Sequence, residues 1–286
     1  GKYYILTGDF NSSDVILKKA ENAANDYLKN EPVIFKELYH LKGRLLLNQG
    51  DYEKSIDNLR RSIEIGMNLY GSMDTSLIPV YNNLGINYYY LGDYEKAIDN
   101  YEKGLEIGFN NKTEAGIEIA KIYKNLGIIY RKKGDFEKAR DYYQRDLIIS
   151  EKLLPENDPE LASSYINNGV LYKNLGKYDK AIEYYDRAEK ILVGKFGENY
   201  YKLGTVYNNK AVIYKNKGEF DKALRYYNFA IGIFKENFQS NYYSILNVFQ
   251  NLGIVHVHKG EYGKALEFLQ ESLSMGEKYQ YPYLSN

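Results

Sequence analysis

Small residues recur in this chain at a fixed interval of 42 positions, and that interval leaves few folds open. Gly43, Gly85, Gly127, Gly169, Ala211 and Gly253 form one row. A second row stands seven positions later, as Gly50, Gly92, Gly134, Gly176, Gly218 and Gly260. Two residues after each of these comes an aromatic: Tyr52, Tyr94, Phe136, Tyr178, Phe220 and Tyr262. A period in this range marks a solenoid, because one supersecondary unit cannot bury its apolar face alone and neighbouring copies must stack to cover it. Function is then expected on a surface rather than in a catalytic pocket.

Residues 78–109 show how one unit works. Tyr81, Leu84, Gly85 and Tyr88 share one face of a helix, helix A. After the break at Gly92-Asp93, Tyr94, Ala97, Ile98, Tyr101 and Leu105 mark the apolar stripe of a second helix, helix B. The first small row allows A and B to approach closely, and so do Ser55 and the alanines at 97, 139, 181, 223 and 265 in helix B. The second glycine row ends helix A, where a left-handed residue is needed. Asp or Glu follows that glycine in every unit except the one with Lys177, so the helix B after Lys177 is expected to start without a side-chain cap.

The stretches "YNNLGINYYYLGDYEKAIDNYEKGLEI" (81–107), "YKNLGIIYRKKGDFEKARDYYQRDL" (123–147) and "YNNKAVIYKNKGEFDKALRYYNFAI" (207–231) carry a family resemblance. Their Tyr-x-x-Leu-Gly-x-x-Tyr helix, Gly-Asp-Tyr turn and Lys-Ala-x-x-x-Tyr helix resemble the tetratricopeptide repeat. The usual unit of that family is about 34 residues. The longer connectors here, such as 71–81 and 153–165, resemble the long-unit type of kinesin light chains and bacterial multidomain proteins. The resemblance implies an all-α fold, a right-handed superhelical solenoid of antiparallel helix hairpins with about six and a half repeats. The expected units are 1–35 (partial, mainly helix B), 36–77, 78–119, 120–161, 162–203, 204–245 and 246–286, in one solenoid over 1–286. Gly8-Asp9-Phe10 already belongs to the pattern, and neither end carries a polar cap, so the chain is expected to be a segment of a longer protein.

Composition excludes several classes. Basic and acidic residues balance at 38 each, so net charge recruits neither nucleic acid nor an anionic membrane. There is no cysteine, hence no disulfide framework and no thiolate metal site or nucleophile. No apolar run approaches the ~20 residues of a membrane span. The reading favours the cytoplasm and leaves the periplasm and the exterior open. The 33 tyrosines fall mostly on fixed rows, where a large ring is buried and its hydroxyl reaches water.

Catalytic signatures and phosphate-binding glycine loops are missing, so no enzyme, cofactor or metal site is expected. His256 occupies the row of Tyr88, Tyr130, Tyr172 and Tyr214 and should pack as they do. His258 is only two residues further on, whereas a helical metal pair wants a spacing of three or four.

One polar row resists a packing explanation: Asn83, Asn125, Asn167, Asn209 and Asn251, two residues before each small residue of helix A, with Leu41 in the first unit. An unpartnered buried amide costs about 1–3 kcal/mol, so five repeats of it need a reason. By resemblance, helix A lines the concave groove of the family, and asparagines there hold the backbone of an extended peptide. The alternative is that the amides bond neighbouring helices and set the stacking. Three and seven residues further along the same face lie Arg44 and Asn48, Ile86 and Tyr90, Ile128 and Lys132, Val170 and Asn174, Val212 and Asn216, and Ile254 and His258. With Arg131, Lys132, Lys173 and Lys215 at the helix ends, the face suits an extended peptide with apolar anchors and some acidic character.

The expected function is therefore a non-enzymatic scaffold for a protein or an extended peptide. A second expectation is a sensor or substrate-recruiting arm of a larger bacterial protein, such as a CHAT-type protease, a histidine kinase or a peptide-responsive regulator. Self-association through uncapped ends is a third.

Overall fold

A helix can only end sharply where its last carbonyls find donors, and the glycines of the second row supply that geometry. Gly50 sits at φ 81°. There the Asp51 amide donates to the Leu46 carbonyl (2.9 Å) and the Gly50 amide to Leu47 (3.1 Å), closing the helix with a left-handed cap. Gly134, at φ 80°, repeats the arrangement with the Asp135 amide on Tyr130 (2.9 Å).

The computed structural model describes residues 31–112, 116–236 and 238–280, together with residues 15, 18, 19 and 22. Most of the expected half-unit at 1–35 lies outside the described residues. Among the described residues the regular structure is helical. Helices A are α1 (Pro32–Gln49), α3 (Ile78–Tyr90), α5 (Ile117–Lys132), α7 (Pro159–Asn174), α9 (Tyr201–Asn216) and α11 (Phe238–His258). Helices B are α2 (Tyr52–Tyr70), α4 (Tyr94–Asn110), α6 (Phe136–Leu153), α8 (Tyr178–Phe196), α10 (Phe220–Glu236) and α12 (Tyr262–Gln280). The chain divides into two units, Gly1–Leu153 and Leu154–Asn286. The first holds the hairpins α1–α2, α3–α4 and α5–α6, and the second holds α7–α8, α9–α10 and α11–α12.

Within a hairpin, the small residue of helix A faces a large side chain of helix B sixteen positions later. A Cβ placed on Gly85 would lie 2.3 Å from the Tyr101 ring, on Gly127 2.5 Å from Tyr143, and on Gly169 2.5 Å from Tyr185. These rings press on bare backbone, and Tyr101, Tyr143, Tyr185 and Tyr227 are almost wholly buried. Ala97, Ala139, Ala181 and Ala223 are buried beside them. In the first described hairpin, Ser55 takes the alanine place and donates its hydroxyl to the Gly43 carbonyl (2.7 Å). Successive hairpins join through a second close approach, in which a Cβ on Gly104 would lie 2.6 Å from Ile122.

Helix B starts follow the acidic residue after each glycine. Asp51, Asp93 and Asp135 accept from the amides of Lys54 (3.4 Å), Lys96 (3.1 Å) and Lys138 (3.1 Å). Lys177 makes no side-chain cap at the start of α8, as the sequence implies. Replacing Lys177 with Asp should therefore raise stability by about 1 kcal/mol, a typical value for an N-cap. Urea denaturation followed by circular dichroism checks this, and an unchanged midpoint would mean that the α8 start is already satisfied.

Candidate functional site

The asparagine row lies on helices A, and the amides of Asn83, Asn125, Asn209 and Asn251 are engaged between neighbouring helices. The Asn83 Nδ2 of α3 lies 3.0 Å from Nε2 of His40 on α1. In the next hairpin the Asn125 Nδ2 of α5 donates to Asn82 Oδ1 on α3 (2.9 Å). His40 and Asn82 stand 42 residues apart, so the two bonds are repeats of one design. In the second unit the sense reverses. Lys173 on α7 donates to Asn209 Oδ1 of α9 (2.6 Å), and Lys215 on α9 donates to Asn251 Oδ1 of α11 (2.6 Å). The amide nitrogens of Asn209 and Asn251 then donate within their own helices, to the carbonyls of Thr205 and Asn247 (both 2.9 Å). Asn167 is half-buried on α7. These bonds tie adjacent helices A together, which is the stacking role the sequence left open.

The companion rows are more exposed. Ile86, Ile128, Val170 and Val212 are half-buried, and Ile254 is exposed. Tyr90, Lys132, Asn174, Asn216 and His258 are exposed near the ends of their helices. Several of these lean on the first aromatic of the preceding helix B, 38 positions earlier: Tyr90 stacks on Tyr52 (5.3 Å), His258 stacks on Phe220 (5.3 Å), and Asn216 donates to the Tyr178 hydroxyl (3.3 Å). Lys132 lies over the Tyr89 ring, 4.9 Å from its centroid. Of the four basic residues at the helix ends, Lys132 is exposed, whereas Arg131, Lys173 and Lys215 are half-buried. Arg131 donates to the Tyr143 hydroxyl (3.3 Å), and burial lowers the pKa of Lys215.

Within the first unit, five of the sequence-picked residues meet in one place. Arg44, Asn83 and Tyr90, with Asn48, Ile86 and Tyr52, line an open cavity of about 540 Å³ between α1 and α3. It combines a guanidinium, the three side-chain amides of Asn48, Gln49 and Asn83, the aliphatic Leu47 and Ile86, and the Tyr52–Tyr90 stack.

His256 packs as expected. It stacks on Phe268 at 5.4 Å, as Tyr130 does on Tyr142, Tyr172 on Tyr184 and Tyr214 on Tyr226, with its Nδ1 2.9 Å from Glu261 Oε2. No cluster of metal-ligating side chains occurs among the described residues, and no helix among them is long and apolar enough to cross a membrane.

Sequence reasoning missed Lys210. It stands on α9 in a row that reads Lys42, Leu84, Leu126, Asn168, Lys210 and Leu252, and only 2% of it is exposed. Its ammonium bridges Asp186 (2.6 Å) and Glu189 on α8, and Glu189 also accepts from the Tyr207 hydroxyl (3.1 Å). Desolvation pulls the Lys210 pKa down, but the hydrogen bonds to the two carboxylates outweigh it and leave the pKa raised. Leucine holds only half of this row, so the sequence carried little signal for a buried cation.

Helical hairpins stacked at a regular interval define an all-α helical-repeat solenoid. The tetratricopeptide repeat model matches residues 37–108, 118–192 and 202–278, and a second model of the same repeat matches 82–152. The chain belongs to the tetratricopeptide repeat family. Comparison with curated proteins finds no match. Among solved structures the chain is similar to BtubC (BKLC) from P. vanneervenii, at 26% identity and a TM-score of 0.66 over 80% of this chain and 90% of that one. It is also similar to the apo form of RapI, at 16% identity and a TM-score of 0.72 over 98% of this chain and 96% of that one. The Rap conjugation gene regulator of plasmid pLS20, solved in complex with the Phr* peptide, matches at 16% identity and a TM-score of 0.69, over 98% of this chain and 73% of that one.

The His40–Asn83 bond makes a pH prediction. An amide nitrogen donates, so Nε2 of His40 accepts and the ring is neutral. Burial holds the His40 pKa near 4, below its ordinary 6.5. As pH falls the unfolded chain takes up the proton first, so the contribution of His40 is complete above about pH 6.5 and is lost toward pH 4. Between pH 7 and 5 the loss should be on the order of 2 kcal/mol. His40→Asn supplies the acceptor that Asn82 already offers in the next hairpin and should flatten that slope. Denaturation curves at pH 7 and pH 5 for both proteins check it; parallel pH dependence would show that His40 is not the titrating group.

Proposed function

We propose that this chain is a non-enzymatic scaffold that holds an extended peptide or partner segment against the exposed rows of its helices A. The observation that carries this reading is the cavity between α1 and α3, where Arg44, Asn83 and Tyr90 converge. An exposed aromatic, a guanidinium and paired amides provide apolar contact and hydrogen bonding on one surface without any group suited to bond-breaking chemistry. The family is generally one of interaction modules, and the similar pLS20 Rap protein was solved with a peptide bound. Both facts support a peptide or protein as the partner here.

The roles of the rows then separate. The ladder amides of Asn83, Asn125, Asn209 and Asn251 set the spacing between helices A through their inter-helix bonds. The contact with ligand falls mainly to Arg44, Tyr90, Lys132, Asn174, Asn216 and His258, because a peptide that recruited the amides would first have to break those bonds. The acidic preference weakens accordingly, since Lys173 and Lys215 are already committed to asparagines.

A peptide selected from a random display library on the wild-type protein would test this. Its affinity for Tyr90→Ala and Arg44→Glu should fall at least about tenfold, the effect of losing ~1.4 kcal/mol, while helicity is unchanged. Asn125, Asn167 and Asn209 replaced together by Ala should lower the melting temperature more than they weaken the peptide. If selection yields no binder, or binders keep full affinity for both surface variants, the proposal fails.

A further inference from the structure

The repeats carry a template for a ring that one of them lacks. In α6, Tyr142 lies between two rings of α5, 6.0 Å from Tyr123 and 5.4 Å from Tyr130. Tyr184 occupies the same place against Tyr165 (6.1 Å) and Tyr172 (5.5 Å), and Tyr226 against Tyr207 (6.0 Å) and Tyr214 (5.4 Å). Phe268 takes it against Phe249 (6.0 Å) and His256 (5.4 Å). In α4 the corresponding residue is Asn100, 42 positions before Tyr142. Its amide turns back to the Lys96 carbonyl of its own helix (2.7 Å) and does not take the place of the ring.

The frame around the missing ring is nevertheless complete. Tyr81 and Tyr88 stand where Tyr123 and Tyr130 stand one unit later. Lys103 lies over Tyr81 (5.9 Å) and Lys96 over Tyr88 (5.6 Å), as Arg145 lies over Tyr123 (5.7 Å) and Lys138 over Tyr130 (4.9 Å). Between them opens a cavity of about 550 Å³, walled on its third side by α2, where Arg60 donates to the Tyr88 hydroxyl (2.7 Å). The hairpin before it does not share this frame. Asn58 lacks the ring too, but Leu46 stands in the Tyr88 row, so no pair of tyrosines flanks it.

We infer that this cavity is a docking site for the side chain of a tyrosine or phenylalanine on a partner protein. The same fold fills the same frame with Tyr, Tyr, Tyr and Phe, so the chemistry of the occupant is written in the other hairpins. An incoming ring would stack offset on Tyr88 and tilt against Tyr81, the geometry that aromatic groups prefer. The site lies among α2, α3 and α4 and does not use Arg44, Asn83 or Tyr90. Its success or failure is therefore independent of the peptide site on helices A.

The experiment uses p-cresol, the tyrosine side chain without its backbone, as probe in ligand-observed NMR, alongside thermal melts. Wild-type protein should bind p-cresol saturably. Asn100→Tyr and Asn100→Phe should lose that binding, because their own ring occupies the frame, and should melt about 2–4 °C higher. Three results would overturn the inference. One is absence of saturable binding to wild type, and another is equal binding to wild type and N100Y. The third is a lower melting temperature for both variants, since a frame that rejects a covalently supplied ring will not receive one from a partner.

Discussion

The contact between a small residue of helix A and a large ring of helix B governs the rest of this molecule. At Gly85, Gly127 and Gly169 the facing tyrosine lies so close that a methyl group would overlap it. Such packing brings the two helices to the shortest distance that side chains permit, and it consumes the face of helix A turned toward its own hairpin. The tyrosines at 101, 143, 185 and 227 become the most buried large residues of their units. Everything polar on helix A is consequently displaced to its other faces, where the asparagine row and the exposed companion rows are found.

The asparagine row follows from that displacement. Two residues before the small residue, a side chain points neither into the hairpin core nor fully to water, but toward the preceding helix A. A leucine there would gain some burial, and an amide can gain a directed bond. In the first unit the amide donates to an acceptor 43 positions earlier, and in the second it accepts from a lysine 36 positions earlier. Each bond is worth only about 1 kcal/mol net, but an amide shifted out of register would be left half-buried and unsatisfied. The row thus penalises slippage between hairpins, which apolar contacts tolerate better. A scaffold that presents residues at even spacing benefits from such a constraint.

The periodic features were legible because six copies in one register average out local noise. Glycine caps, the close A–B approach, the missing cap at Lys177 and the packing of His256 all follow from lining up rows. The partners of the asparagines were not legible. Their offsets of 43 and 36 differ from the period, since they depend on which way a long side chain leans across the seam between helices. Arg44, Asn83 and Tyr90 were picked from face geometry and do share a cavity, whereas Lys173 and Lys215 looked like free cations and are bound. Lys210 was not legible because its row alternates between leucine and polar residues (Lys42, Asn168) and its carboxylate partners lie 24 and 21 positions earlier, off the period.

Departures from a row deserve to be sorted by whether the structure compensates them. Lys210 is a buried cation where neighbouring copies carry Asn168 and Leu252, and α8 supplies Asp186 and Glu189 to neutralise it, so the charge is absorbed inside the unit. Ala211 departs from glycine by one methyl group and remains buried in its hairpin. Asn100 departs from an aromatic, and nothing within the unit fills the space: both flanking tyrosines and both cations above them keep the places they hold around a real ring. A ring there would add apolar burial and stacking, the kind of gap-filling change that raises stability. On the docking proposal the intact frame is a receptor for a partner's ring, and recognition would then draw on helices B as well as on helices A.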